Sequence, residues 1–106
     1  MINKKKIKEA ARRLVKEFHP QSIILFGSYA RGTADKHSDV DLLVICPFKK
    51  DRKKLMVEMD MTLWGLGMAR DIIVLTPEEF ETEKDIPGTI ARYAWKEGKS
   101  LYEQKQ

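Results

Sequence analysis

"SIILFGSYARGTADKHSDVDLLVIC", residues 22–46, holds two apolar runs of strand length separated by a polar stretch. "SIILF" (22–26) reads as a buried strand running into Gly27-Ser28, and "DVDLLVIC" (39–46) as a second strand, closed by Pro47. Between them "YARG" has room for one or two helical turns ended by Gly32, and "TADKHS" reads as a loop. That connection is too short for an ordinary helical crossover, so the two strands are expected to pair antiparallel or irregularly. Upstream, Ile7, Ala11, Leu14 and Phe18 recur at helical spacing between Asn3 and a stop at His19-Pro20. Downstream, Lys49 to Gly67 has the length and composition of a helix, weakened toward its end by Gly65 and Gly67. "DIIVL" (71–75) is a third strand, and "PEEFETE" (77–83) a short helix with Thr76 as its cap. Pro87 to Lys96 is a last helix ending at Gly98, and "SLYE" (100–103) adds a small edge strand. The alternation predicts an α/β (α+β) fold, a small mixed β-sheet flanked by helices.

Size and composition set outer limits. The 106 residues fit one domain spanning 1–106, and 42% hydrophobic with 34% charged residues suits a folded, soluble chain. The formal charge of +4 comes largely from Lys4, Lys5, Lys6 and the Lys49 to Lys54 cluster, which read as solvated helix faces, so nucleic acid is not expected as a direct ligand. Cys46 is the only cysteine; an intramolecular disulfide is excluded, a cysteine zinc site is disfavoured, and a buried thiol is expected. "KEAARRLVKEF" (8–18) places charges where the apolar core of a signal peptide would lie, and no apolar stretch approaches the roughly 20 residues that cross a bilayer. A cytoplasmic protein without membrane contact is the expectation.

Asp39 and Asp41 stand two apart at the start of an apolar strand, so both project from one face. Like charges so placed repel and raise each other's pKa unless a cation holds them ionised, and hard divalent cations such as Mg²⁺ prefer carboxylate oxygen. At the other end of the loop, Gly27 has no Cβ to block close backbone approach, and Ser28 stands at a helix start, where free N–H groups attract anions. Mg²⁺ binds through one or two carboxylates plus substrate phosphates, so both ends fit one ligand, a nucleoside triphosphate with its metal. Asp71 opens the third strand and is favoured as a third carboxylate of a two-metal site, helping to hold metal and accepting a proton from an attacking hydroxyl. Glu58 and Asp60 compete for that part but lie in the expected helix.

The unbroken pattern Gly-Ser, then Ala-Arg-Gly, then Ser-Asp-x-Asp-Leu from Gly27 to Leu42 resembles the nucleotidyltransferase superfamily that includes DNA polymerase beta and kanamycin nucleotidyltransferase. It looks most like the minimal bacterial and archaeal members, the antitoxin-like proteins paired with HEPN-domain toxins, and the element order and the ending "AWKEGKSLYE" (94–103) extend the likeness over most of the chain. The resemblance implies a polymerase beta-like nucleotidyltransferase fold, with Gly27 and Ser28 on the triphosphate and Asp39, Asp41 and Asp71 as catalytic metal ligands for Mg²⁺, two ions in all. It implies that Arg31 supports the loop or approaches phosphate, a surface pair with an acid being the alternative. It further implies transfer of a nucleoside monophosphate, AMP from ATP or another triphosphate, to a hydroxyl, with a tyrosine of a HEPN-type toxin as acceptor. Arg70 before Asp71 is more polar than expected and puts that strand's register in question. Two other readings stand beside this one: an antitoxin that neutralises its partner by binding alone, and nucleotidyl transfer to a small molecule.

The 55–68 segment offers a place for a partner. Leu55, Met59, Leu63 and Leu66 form one apolar stripe, suited to covering the sheet, while Val57, Met61, Trp64 and Met68 form a second that would be left for a partner protein or a second copy, making a homo-oligomer. Tyr93, Trp95 and Tyr102 are expected in core or rim packing, and His19 and His37 as helix-end and loop residues.

Overall fold

A computed structural model describes residues 2–49 and 51–105. Lys50, part of the lysine cluster noted above, lies outside the described residues. Helix α1, Lys4–Phe18, is capped by Asn3, whose side chain accepts from the Lys6 N–H at 3.0 Å, and buries Ile7, Ala10, Ala11 and Leu14 on one side. It stops where His19 turns left-handed (φ 48°) and donates its N–H to the Val15 carbonyl. Strand β1, Ser22–Phe26, is followed by a single turn of helix α2, Ser28–Arg31, and by the 33–38 loop into β2, Val40–Ile45. Helix α3, Arg52–Thr62, carries the chain over to β3, Arg70–Leu75. Helices α4, Pro77–Glu83, and α5, Ile90–Glu97, lead to the last strand β4, Lys99–Glu103.

The four strands form one mixed sheet in the order β3-β2-β1-β4. β1 runs antiparallel to both β2 and β4, as its short link to β2 requires, and β2 is parallel to β3, the α3 connection supplying the crossover that a parallel pair needs. Side chains alternate across the sheet. Ile23, Leu25, Leu42, Val44, Ile72 and Val74 pack with α1 and α3 on one face, together with Cys46, whose thiol burial pushes upward in pKa. Leu43, Ile45 and Leu75 pack with Phe80 of α4 and with Ala91 and Ala94 of α5 on the other. Among the described residues no helix is long and apolar enough to cross a membrane.

Several element bounds differ from expectation; β3 and β4 each begin one residue earlier, at Arg70 and Lys99. The ladder of β2 begins at Val40, leaving Asp39 as the residue just before it. Helix α3 is shorter than 49–67: Asp51 caps it by accepting from the Lys53 and Lys54 N–H groups, and it ends at Thr62 because the chain must turn through Gly65 and Gly67, both at positive φ, to bury Met68 and enter β3. The last helix begins at Ile90 rather than Pro87 because the Thr89 side chain caps it by accepting from the Arg92 N–H. The apolar stripes of the 55–68 segment divide accordingly. Met59 and Leu63 are buried and Val57, Met61 and Trp64 are 58%, 68% and 82% exposed, but Met68, expected with the outer stripe, is buried in the turn.

The two helical layers are tied across the sheet edge by one ion pair. Arg52 at the start of α3 donates to the Val74 carbonyl (2.9 Å) and to both carboxylate oxygens of Glu79 (3.0 and 2.6 Å), and Glu79 closes a capping box with Thr76 on α4. Hydrogen bonding by Arg52, then by the Thr76 backbone, pulls the Glu79 carboxyl from its ordinary 4.5 to about 2. A carboxyl depressed in the folded state adds stability above its unfolded pKa and loses it as pH falls through the folded one. Glu79→Gln is therefore expected to cost about 1 kcal/mol near neutral pH. In denaturant titrations the gap from the parent chain should close between pH 4.5 and about 2; a gap independent of pH would contradict this account.

Candidate active site

The helices of the second layer leave one end of their face of the sheet open. Asp41 shares that face with Leu43 and Ile45, and Asp39, two residues earlier, continues the same row beyond the ground covered by α4 and α5. In the parallel register Asp41 is paired with Asp71 on β3, and in the antiparallel one with Phe26 on β1, so Asp71, Asp41 and Phe26 lie in line across three neighbouring strands. Strand spacing of about 4.8 Å makes the two carboxylates neighbours. Arg70 does not disturb this register. Its guanidinium donates to the Asp60 carboxylate (2.8 Å), the Asp60 carbonyl (2.9 Å) and the Met68 carbonyl (3.0 Å), bracing the end of α3 against the first residue of β3. Asp60 is thereby engaged in structure, and it and Glu58 belong to α3, which packs on the opposite face of the sheet from Asp71.

Gly27 links the end of β1 to α2 and is folded against Asp41. Its backbone (φ 76°, ψ −156°) lies in a region reserved for glycine, and a Cβ there would collide with the Asp41 carboxylate. Ser28 opens α2, a turn in which the Ala30 and Arg31 N–H groups both donate to the Gly27 carbonyl (3.1 Å each). The first N–H groups of the turn are those a helix leaves without internal partners. Arg31 sits over the Tyr93 ring, 5.7 Å from its centroid, and Tyr93 meets Phe26 edge-on at 6.0 Å. Among the described residues Arg31 makes no ion pair, so the alternative of a surface pair with an acid is not formed. The sequence carries no signal for Phe26 or Tyr93 at the site: Phe26 reads as the end of an apolar run, and nothing local to α5 shows that Tyr93 reaches the α2 guanidinium.

Burial raises the Asp41 pKa, the charges of Asp71 and Asp39 raise it further, and Arg31 opposes them. The cluster thus carries more negative charge than its surroundings balance. Among the described residues no three acidic, histidine or cysteine side chains converge closely enough to hold a metal between them, although the strand register sets Asp71 beside Asp41. Oxygen donors on one face, an unbalanced negative charge and a glycine cradle beside the central acid fit a hard divalent cation carrying phosphate.

A family model described as the nucleotidyltransferase domain matches residues 4–99. The chain belongs to this family. Two proteins of Methanocaldococcus jannaschii that bear the name protein adenylyltransferase are relatives of this nucleotidyltransferase domain. One is 41% identical over 71 residues, 62% of this chain and 48% of its own length; the other is 32% identical over 105 residues, 96% of this chain and its whole length. The chain therefore spans about half of the first and all of the second. Among solved structures, a nucleotidyltransferase of Sulfolobus solfataricus superposes with a TM-score of 0.65 at 25% identity, covering 94% of this chain and 79% of that one. A toxin–antitoxin complex with AMP-PNP has a chain that superposes at 0.62 with 21% identity, covering 92% and 74%, a likeness of fold.

Proposed function

We propose that this nucleotidyltransferase domain transfers AMP from ATP to a hydroxyl, and that the acceptor is a tyrosine of a HEPN-type toxin silenced by the modification. The observation that carries the reading is the register of the carboxylates: Asp71 beside Asp41, with Asp39 two residues before it and Gly27 folded against Asp41. In this reading Asp39, Asp41 and Asp71 hold Mg²⁺, and Gly27, Ser28 and Arg31 receive the triphosphate. Two Mg²⁺ ions, when bound, would neutralise charge on the attacking and leaving oxygens. The acceptor oxygen bonds to the α-phosphorus while the bond from that phosphorus to its bridging oxygen breaks, releasing pyrophosphate, and the hydroxyl proton passes to Asp71. Arg31 leans over Tyr93 toward the negative cluster, where it suits the departing pyrophosphate. The adenylyltransferase relatives support AMP as the transferred group, and the toxin–antitoxin neighbour supports a protein partner.

Incubating the full chain with α-labelled ATP, Mg²⁺ and a lysate of cells carrying its neighbouring reading frames is expected to put label on a protein and release pyrophosphate. Label that never leaves the nucleotide under any acceptor would sink the reading.

A second reading, neutralisation by binding alone, is favoured by one observation: Val57 and Met61 on α3 and Trp64 in the turn after it are outward-facing apolar side chains, away from the carboxylates. Both readings share a protein partner, and they part on whether neutralisation needs the aspartates.

A further inference from the structure

Helix α1 and the edge strand β4 enclose a groove that the transfer reaction does not use. It consists of two hollows, about 360 and 610 Å³, which share Lys8, Ser100 and Leu101 and so run into one another. Its apolar lining comes from Ile7, Ala11, Val15, Leu25 and Leu101, while Lys4, Lys8, Arg12, Lys16 and Lys99 supply its charge. No acidic residue lines either hollow. Arg12 is held by Glu9, which is not part of the lining, whereas Lys4, Lys8, Lys16 and Lys99 make no ion pair among the described residues. β4 bonds to β1 on one side only, since it ends the sheet.

The spacing of the charges suggests what the groove accepts. Lys4, Lys8, Arg12 and Lys16 are four residues apart on α1, so they form a gently twisting row with a step of about 6 Å and a length of about 18 Å. Alternate side chains of an extended peptide repeat at about 6.6 Å on one side, and those between them point the other way. An extended segment of about six residues that alternates acidic and apolar side chains would set its carboxylates along the lysine row and its apolar groups on the groove floor. We propose that this groove docks such an acidic, extended segment of a partner protein. Single-stranded nucleic acid carries charge at a similar step, but it gains from exposed aromatic platforms, and the groove's aromatic side chains, Tyr29 and Tyr102, are both partly packed into the core. The groove reaches Tyr29, Gly32 and Ala34, so a segment bound there ends beside the loop that follows α2.

The inference does not depend on nucleotidyl transfer, and its test contains no nucleotide. A fluorescein-labelled peptide of alternating glutamate and leucine, about eight residues long, is titrated with the full chain at low salt and followed by anisotropy. Binding is expected. The paired change Lys8→Glu with Lys16→Glu should weaken it by about tenfold or more, and added salt should weaken it further. Lys53→Glu with Lys54→Glu makes the same change in net charge on α3 and should leave it within about twofold of the parent. All four lysines are exposed, so both variants should keep the parental circular dichroism. Equal weakening by the two pairs, tighter binding of a single-stranded oligonucleotide of similar length, or no peptide binding would each overturn the proposal.

Discussion

Asp41→Asn is expected to lower nucleotidyl transfer by about a hundredfold to a thousandfold, on the scale seen when a charge-stabilising group is removed from a reaction centre, while the melting temperature holds or rises. The two effects have one cause. Asp41 is the central acid of the row, paired with Asp71 on one side and two residues from Asp39, and its own burial and both neighbours push its pKa up. A carboxyl whose folded pKa is raised above its unfolded value binds its proton more tightly when folded. Stability therefore falls as pH rises between the two values and stays lower above them. At neutral pH the parent chain carries that cost, and asparagine, nearly the same shape without the charge, removes it. The same substitution deletes a candidate metal ligand and the charge that would align the triphosphate. Labelled transfer and thermal unfolding at pH 7, measured on the same preparation, check both halves. Near-parental transfer would remove Asp41 from the chemistry, and a lowered melting temperature would mean that its carboxylate is a structural anchor.

Gly27→Ala should damage both stability and activity. The backbone at φ 76° and ψ −156° belongs to the region that side-chain-bearing residues avoid, at a cost of about 1–3 kcal/mol. The added methyl would also strike the Asp41 carboxylate, so either the aspartate swings out of line with Asp71 or the β1–α2 turn moves away from it. Transfer is expected to fall by about a hundredfold or more, since small misplacements of reacting groups are costly. Gly65→Ala separates the two contributions. Gly65 also has positive φ (88°), but a Cβ there meets nothing within 4 Å, and it lies in the turn after α3. Its replacement should cost about 1 kcal/mol and leave transfer untouched. Equal losses of transfer in the two variants would mean that instability, not the collision with Asp41, accounts for the Gly27 result.

Much of the frame is legible along the chain because the deciding interactions are local. The 22–26 run is a strand to the residue, Thr76 and Pro77 mark the start of α4, and the short link after Gly27 forces β1 and β2 antiparallel. The bounds of α3 are less legible: Gly65 and Gly67 mark the turn only loosely, and the stop at Thr62 depends on Met68 finding the core and on Arg70 reaching back to Asp60. Arg70 shows the same limit from the other direction. Its polarity looks out of place at the start of a strand until the acid and carbonyls that it binds are known.

Along the chain alone, Asp39 and Asp41 are assigned to one face of a strand, because side chains two apart in an extended backbone share a side whatever surrounds them. Gly27 and Ser28 are likewise placed at the end of the preceding strand. Tertiary structure decided the partners. Parallel pairing of β2 with β3 brings Asp71 into line, the turn after β1 lays Gly27 against Asp41, and α5 sets Tyr93 between Phe26 and Arg31. These contacts join elements far apart in sequence. They follow from strand register and layer packing, which depend on how the whole apolar core closes and not on any one stretch of it.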